Sequence, residues 1–344
     1  MALKKSMLSI LLVAAVAVVF AALTFFRFDP LESLDRVLYD AGVKLTRAGK
    51  TGSGPVALVQ IDERSLQRLG PWPWSRHVLG EMITLLEAQG AKAVGLDLSL
   101  RGRMPAQGLD EVRAFRDKFD SYTFSKKDEG LRSWILENLK EMTRHLDKDR
   151  MLVDSVRQSG NVVLTVLPGF MKEKTTADQD RDALLKRNAL SDAGISASLK
   201  ERVSAPELLL PFSDLSEAAL GLGHSAMSFE QGMDGRSHPL FVFHKGSILP
   251  SFPLRLAMAH IGLKPKQGVV EESEVRMRDI TIPHRQGEML VDYSLSPETL
   301  LRYSFGDLLH SGKIPPALKG KTVLIGLDPA EGVTLSTPGG PRIT

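Results

Sequence analysis

An α/β fold is what this sequence predicts: a mostly parallel sheet flanked by helices, with an antiparallel C-terminal portion, preceded by one N-terminal transmembrane helix. Three observations lead there. Two short apolar runs, residues 56–61 and 91–98, are joined by a helix-compatible stretch at 76–89, with Ser75 placed to cap it and Gly90 to end it. Buried strands joined through a helix need the crossover that a parallel pair requires. In the last third the chain instead shows short strands separated by tight turns. Ahead of all this, residues 7–26 carry no charge and are interrupted only by Ser9 and Thr24.

That first run decides the N-terminal element. Twenty residues at about 1.5 Å each reach about 30 Å, the thickness of a bilayer's hydrocarbon core. It is too long for the apolar core of a cleaved signal peptide, and it lacks the polar face of a packed globular helix. Lys4 and Lys5 precede it, so the short basic tail is expected in the cytoplasm and the remainder outside. The domain boundaries read as a membrane anchor at 1–28, a juxtamembrane helix and linker at 29–54, and one domain over 55–344. Leu31, Leu34, Leu38 and Val43 give the juxtamembrane segment loose helical spacing, and 48–55 (AGKTGSGP) is too rich in Gly for a regular element.

Within the domain, 101–150 is dense in charge but keeps helical spacing at Leu131, Ile135, Leu139, Met142 and Leu146, and so reads as a helical surface insertion. A helix from 151 and a strand at 161–167 (NVVLTVL) continue the crossover pattern. Residues 171–203 are polar and short of aromatics, an insertion expected to hold at most local helix outside the core. Lys245-Gly246 marks a hairpin between 239–244 and 247–249. Beyond it come a helix at 252–261, strands at 280–283 and 288–293, a helix at 305–312 and a buried strand at 322–327.

Composition narrows function. Forty-four Lys and Arg against 41 Asp and Glu leave a formal charge of +3, too little for a nucleic-acid footprint. With no Cys, disulfides, thiolate metal sites and a Cys nucleophile are excluded. The eight His lack metal-ligand spacing, and no metal or cofactor is expected. Gly223-His224-Ser225-Ala226-Met227 ends in Met where a nucleophile elbow needs Gly. Gly320-Lys321-Thr322 opens a strand instead of a helix, so it is no phosphate loop.

The candidate ligand residues follow from placement and chemistry. Asp62 and Asp97 end apolar strands, at the edge of a parallel sheet where ligands bind; for Asp62 the competing role is a helix cap. In Leu-Gly-Pro-Trp-Pro-Trp-Ser-Arg (69–76), Trp72 and Trp74 offer aromatic plates beside Arg76, or else a hydrophobic plug that orders the turn into the next helix. Arg236, after the Asp234-Gly235 turn, suits an anion clamp or an internal ion pair.

The ordered series Ile61-Asp62, Ser65-Leu66, Gly70, Trp72-Pro73-Trp74, Arg76, then 93–97, Asp234-Gly235-Arg236, Tyr303-Ser304-Phe305 and 320–326 resembles the CHASE type-two family of extracellular sensory domains. The resemblance runs from about residue 34 to 338. It implies an extracytoplasmic, ligand-binding sensor held in the inner membrane and coupled to a kinase or cyclase output module outside these 344 residues. The chain itself would then not be an enzyme. The partners it implies are a small-molecule or peptide ligand, the membrane and a second copy in a homodimer, with no nucleic acid.

Overall fold

The computed structural model describes residues 54–169, 179–226, 235–293 and 299–328, the backbone of 334–337 and 340–343, and scattered helical positions at 14, 16, 38, 39, 41 and 42. Nearly all of the apolar run 7–26 and of the linker lies outside the described residues. Among those described, no helix is long and apolar enough to cross a membrane.

The chain enters the domain through strand β1 (Val56–Ile61), helices α1 (Glu63–Leu69) and α2 (Arg76–Ala88), and strand β2 (Ala93–Asp97). The helical insertion follows as α3 (Leu109–Asp120) and α4 (Glu129–Leu146), and α5 (Lys148–Ser159) leads into β3 (Val162–Gly169). Next come α6 (Gln179–Asn188), β4 (Ser191–Asp192), α7 (Ala197–Arg202), β5 (Glu207–Leu209), α8 (Ser213–Ala218) and β6 (Gly221–His224). The last third holds β7 (Ser237–Pro239), β8 (Phe241–His244), β9 (Ser247–Pro250), α9 (Phe252–His260), β10 (Gly268–Val270), β11 (Glu274–Met277), β12 (Ile280–Pro283) and β13 (Glu288–Leu290). It closes with β14 (Leu301–Ser304), α10 (Phe305–Ser311) and β15 (Thr322–Leu327).

The α/β class is as the sequence predicts. The principal sheet runs β14-β1-β15-β2-β3-β6, every neighbour parallel, and β5 joins the far end of β3 antiparallel. Its central strands are buried on both faces, which is why they read as continuous apolar runs and not as alternation. On one face α2 and α5 pack through Leu79, Met82, Ile83, Leu86, Leu152, Val153 and Val156, all inaccessible to solvent. On the other face lies α9, whose Phe252 and Leu256 cover Ala93 and Val163. That helix lies flat because Gly95 and Gly223 leave it room: a Cβ on Gly223 would sit 2.5 Å from the Phe252 Cα.

Small antiparallel pairs, β8–β9 and β10–β11–β12, build a second core around Phe241, Met258, Val270 and Val275. Here the structure differs from the sequence reading. The polar stretch up to residue 203 is not outside the core: Leu190, Ile195, Leu199 and Val203 are buried in this second cluster, and β4 pairs with β10. Residues 170–178 of that stretch lie outside the described residues. The strand expected over 288–293 is shorter, and pairs through Glu288–Leu290 with β7.

Candidate functional site

The carboxyl edge of the parallel sheet is built as its strand endings dictate. β15 lies between β1 and β2, with Ile61 opposite Leu327 and Gly326 opposite Asp97. Three acidic residues therefore follow adjacent strands: Asp62 after β1, Asp328 after β15 and Asp97 at the end of β2. Asp328 was missed in the sequence, although it obeys the same rule, an apolar strand followed by a carboxylate. It accepts from Gln60 Nε2 at 3.2 Å, and Asp97 accepts from Thr165 Oγ1 at 2.9 Å.

Asp62 has local partners that account for most of its capacity. Its Oδ1 accepts from the Ser65 amide at 2.9 Å, the Ser65 hydroxyl at 2.6 Å and the Ser304 hydroxyl at 2.7 Å, making it the N-cap of α1. Partial burial opposes ionisation, but these donors outweigh it and hold the carboxyl below its ordinary range. The Ser65 hydroxyl accepts in turn from the Gly306 amide at 2.8 Å. A single knot thus ties the first turn of α1 to the start of α10.

The Trp-Pro-Trp turn leans on the same knot. Trp74 is buried, donates from Nε1 to the Gly70 carbonyl at 2.8 Å and stacks on Phe305 with ring centres 5.3 Å apart. Trp72 meets it edge-on at 5.3 Å. Their faces order the turn between α1 and α2.

Arg76, at the start of α2, is buried and faces Asp149 in the first turn of α5, Nε to Oδ1 at 3.8 Å. Neither of those two atoms has a hydrogen-bond partner. Burial lowers the guanidinium pKa, partly offset by Asp149, and raises that of Asp149, whose Oδ2 accepts from the Met104 amide at 2.8 Å. Arg76 therefore joins two helix starts and does not meet the sheet-edge carboxylates. Arg236 stands before β7, outside the parallel sheet, with its carbonyl accepting from Val291 at 2.9 Å; Asp234 lies outside the described residues. The structure brings Asp62 and Asp97 to one edge but gathers the six candidates into no single cavity.

A concave groove lies elsewhere among the described residues. A groove of about 600 Å³ opens between α2, α4, α5 and α10, with Leu85, Met151 and Leu309 as its apolar floor and Glu81, Glu141 and His145 among its polar walls. Glu141 is held by Arg144 and by His145 at 3.0 Å. Asp154 pairs with Arg150 and Arg157. Glu81 has no ion pair among the described residues. Sequence reasoning missed this groove because its walls come from three separate stretches, each individually an ordinary solvated helix face. Among the described residues no group of His, Asp or Glu is arranged to hold a metal.

No curated protein matches this chain, and no solved structure does. A profile of the CHASE2 domain matches residues 14–343, nearly the whole length. The chain belongs to the CHASE2 domain family, a family of extracellular sensory domains.

Proposed function

We propose that this chain is the extracytoplasmic ligand-binding domain of a receptor in the cytoplasmic membrane, anchored through residues 7–26, with catalysis left to a cytoplasmic output module. The observation that carries this reading is the groove between α2, α4, α5 and α10. Its volume, about 600 Å³, falls inside the range of small-molecule sites, roughly 300–1,000 Å³. An apolar floor beside the unpaired carboxylate of Glu81 suits a small molecule or short peptide that carries both an amino group and an apolar portion.

The groove also supplies a route for the signal. Leu309 on α10 and Gly312 at its C-terminal end line it, and the first turn of the same helix carries Phe305 against Trp74 and Gly306 against Ser65. A ligand that shifts α10 is felt at Asp62, and hence at β1, the strand that continues toward the N-terminal segment. Only different contacts with the two positions of α10 can bias such an equilibrium.

The test is a thermal-shift screen of small amines and amino-terminal peptides against the wild-type chain and Glu81→Gln. A binder raises the melting temperature, with a stabilisation that grows as the logarithm of its excess over Kd, without turnover. Glu81→Gln is expected to weaken it about tenfold, about 1.4 kcal/mol. Equal binding by both proteins sinks the groove assignment. Turnover of ester or phosphate substrates that depended on Ser225 or Asp62 would favour a membrane-tethered hydrolase instead.

A further inference from the structure

The two edges of the parallel sheet carry opposite charge. Where strands end stand Asp62, Asp97 and Asp328. Where they begin, the described turns leading into β1, β15, β2, β3 and β6 contain Lys92, Lys319 and Lys321 and no carboxylate. The fold gathers these lysines from segments far apart in sequence. The Lys92 amide donates to the Lys321 carbonyl at 2.8 Å, and Lys321 Nζ donates to the Gly54 carbonyl at 2.7 Å. The Lys319 side chain passes within 3.5 Å of where a Cβ on Gly90 would stand.

Helix ends add to the imbalance. α9 brings His260 to the start of β15, where its Nδ1 meets the Thr322 hydroxyl at 3.0 Å. Ahead of β6, Arg187 donates to the Ser216 carbonyl at 3.0 Å and Arg255 to that of Leu220 at 2.8 Å. The carboxylates at this edge are Glu87, in the last turn of α2, and Glu217, in that of α8; Arg157, at the end of α5, pairs with Asp154. Lys92, Lys319, Lys321, Arg187 and Arg255 therefore outnumber the carboxylates beside them. The crowding of positive charge is felt by its members: burial and then Lys92 lower the pKa of His260, and burial followed by Arg187 lowers that of Arg255 to about 10.

Position identifies the partner. The chain enters the domain at this same edge, through Gly54 and Pro55, and the uncharged run 7–26 precedes them. Leu220 and Ile261, 42% and 37% exposed, stand among the cations. Lysines close to a membrane are drawn to anionic headgroups, and apolar side chains between them reach the acyl boundary. The acidic edge of a second copy is the other complement, but copies anchored in one membrane through the same segment turn the same edge toward it.

We infer that the strand-entry edge of the sheet is an electrostatic docking face for the anionic headgroups of the bilayer that holds residues 7–26. The inference rests on the anchor proposed above and not on the ligand groove.

The absence of Cys makes the test direct, since one introduced thiol carries the only fluorophore. The full chain labelled at Gln158→Cys, at the exposed end of α5, or at Gln67→Cys, exposed on α1 toward the opposite edge, is reconstituted into vesicles. These are made of phosphatidylcholine, or of an equal mixture with phosphatidylglycerol, and contain a lipid whose headgroup nitroxide quenches nearby fluorophores. With phosphatidylglycerol, the label at 158 is expected to be quenched more than the one at 67, and the difference to fade as salt is raised. Lys92→Gln with Lys319→Gln is expected to lower the ratio of docked to undocked domain about thirtyfold, abolishing that difference while leaving the melting temperature unchanged. If the chain withstands alkaline carbonate but both labels are quenched alike, or quenching is indifferent to phosphatidylglycerol, the inference is overturned and the anchor stands. A chain that carbonate strips from the vesicles overturns both. Energy transfer from a donor at 158 to an acceptor at 67 on another copy would overturn the inference by giving the basic edge to a neighbouring chain.

Discussion

Arg76 and Asp149 show how a residue suited to ligand recognition can be consumed by the fold. Each is almost wholly buried, and their facing atoms stand 3.8 Å apart, too far for a hydrogen bond. The attraction of such a pair is offset by the loss of hydration, so the pair itself contributes little, whereas half of it alone is costly. Arg76→Met should therefore destabilise the domain by about 3–5 kcal/mol, because Asp149 is left unpaired in its place. Combining it with Asp149→Leu should recover most of that loss. Urea denaturation of the three variants checks this, and additive losses in the double variant would contradict it. The same economy explains Asp62, whose carboxylate receives three donors from Ser65 and Ser304 and caps α1.

At the scale of elements, the Trp-Pro-Trp turn is the joint between α1, α2 and α10. Trp74 alone touches all three through the Gly70 carbonyl, its own place before α2 and the Phe305 ring. Trp74→Ala should cost about 3–5 kcal/mol, read as a lower denaturation midpoint. Trp72→Ala, at a half-buried ring on the rim, should cost less. What was legible in the sequence follows from this scale too. β2 and β3 are buried on both faces over most of their length, and their apolar runs announce them; β1 alternates buried with half-buried positions, and β15 leaves Leu324 and Leu327 partly open, but both are still apolar enough to be read as strands. Leu190, Ile195, Leu199 and Val203 reach the second core from a turn, a loop and a short helix, so no single period connects them. The placing of β15 between β1 and β2 joins segments more than two hundred residues apart, which no local pattern records. The groove was hidden for the same reason, since helix faces that look merely solvated acquire a meaning only once α4 is laid beside α2 and α5.

The whole molecule carries a set of histidines that folding keeps neutral, and this fixes the sign of its pH dependence. His224 ends β6 with no solvent access, and its Nδ1 accepts from the Ala226 amide at 3.1 Å, so the ring hydrogen sits on Nε2, which has no partner. Burial, reinforced by the nearby His238, pushes its pKa down to about 3. Burial also lowers His238, against the opposing pull of Glu288, and lowers His284, against Glu271, Glu272 and Glu274; His260 is lowered by burial and by Lys92. Unfolded, all four titrate near 6.5. Below that pH the unfolded chain binds protons that the folded one refuses, so stability is fully present above pH 6.5 and falls as the pH drops toward 3. Each such histidine contributes a slope of up to about 1.4 kcal/mol per pH unit. Protonating His224 would also place a hydrogen on Nδ1 facing the Ala226 amide hydrogen, so the ring cannot charge without breaking the end of β6. His224→Gln removes one titrating group at that position. Its unfolding free energy, measured in urea at pH 7.5 and again at pH 5, should decline by about one proton's slope less than wild type. Equal declines in the two proteins would mean that His224 charges as readily in the fold as outside it, and that its place at the end of β6 is not the buried one described.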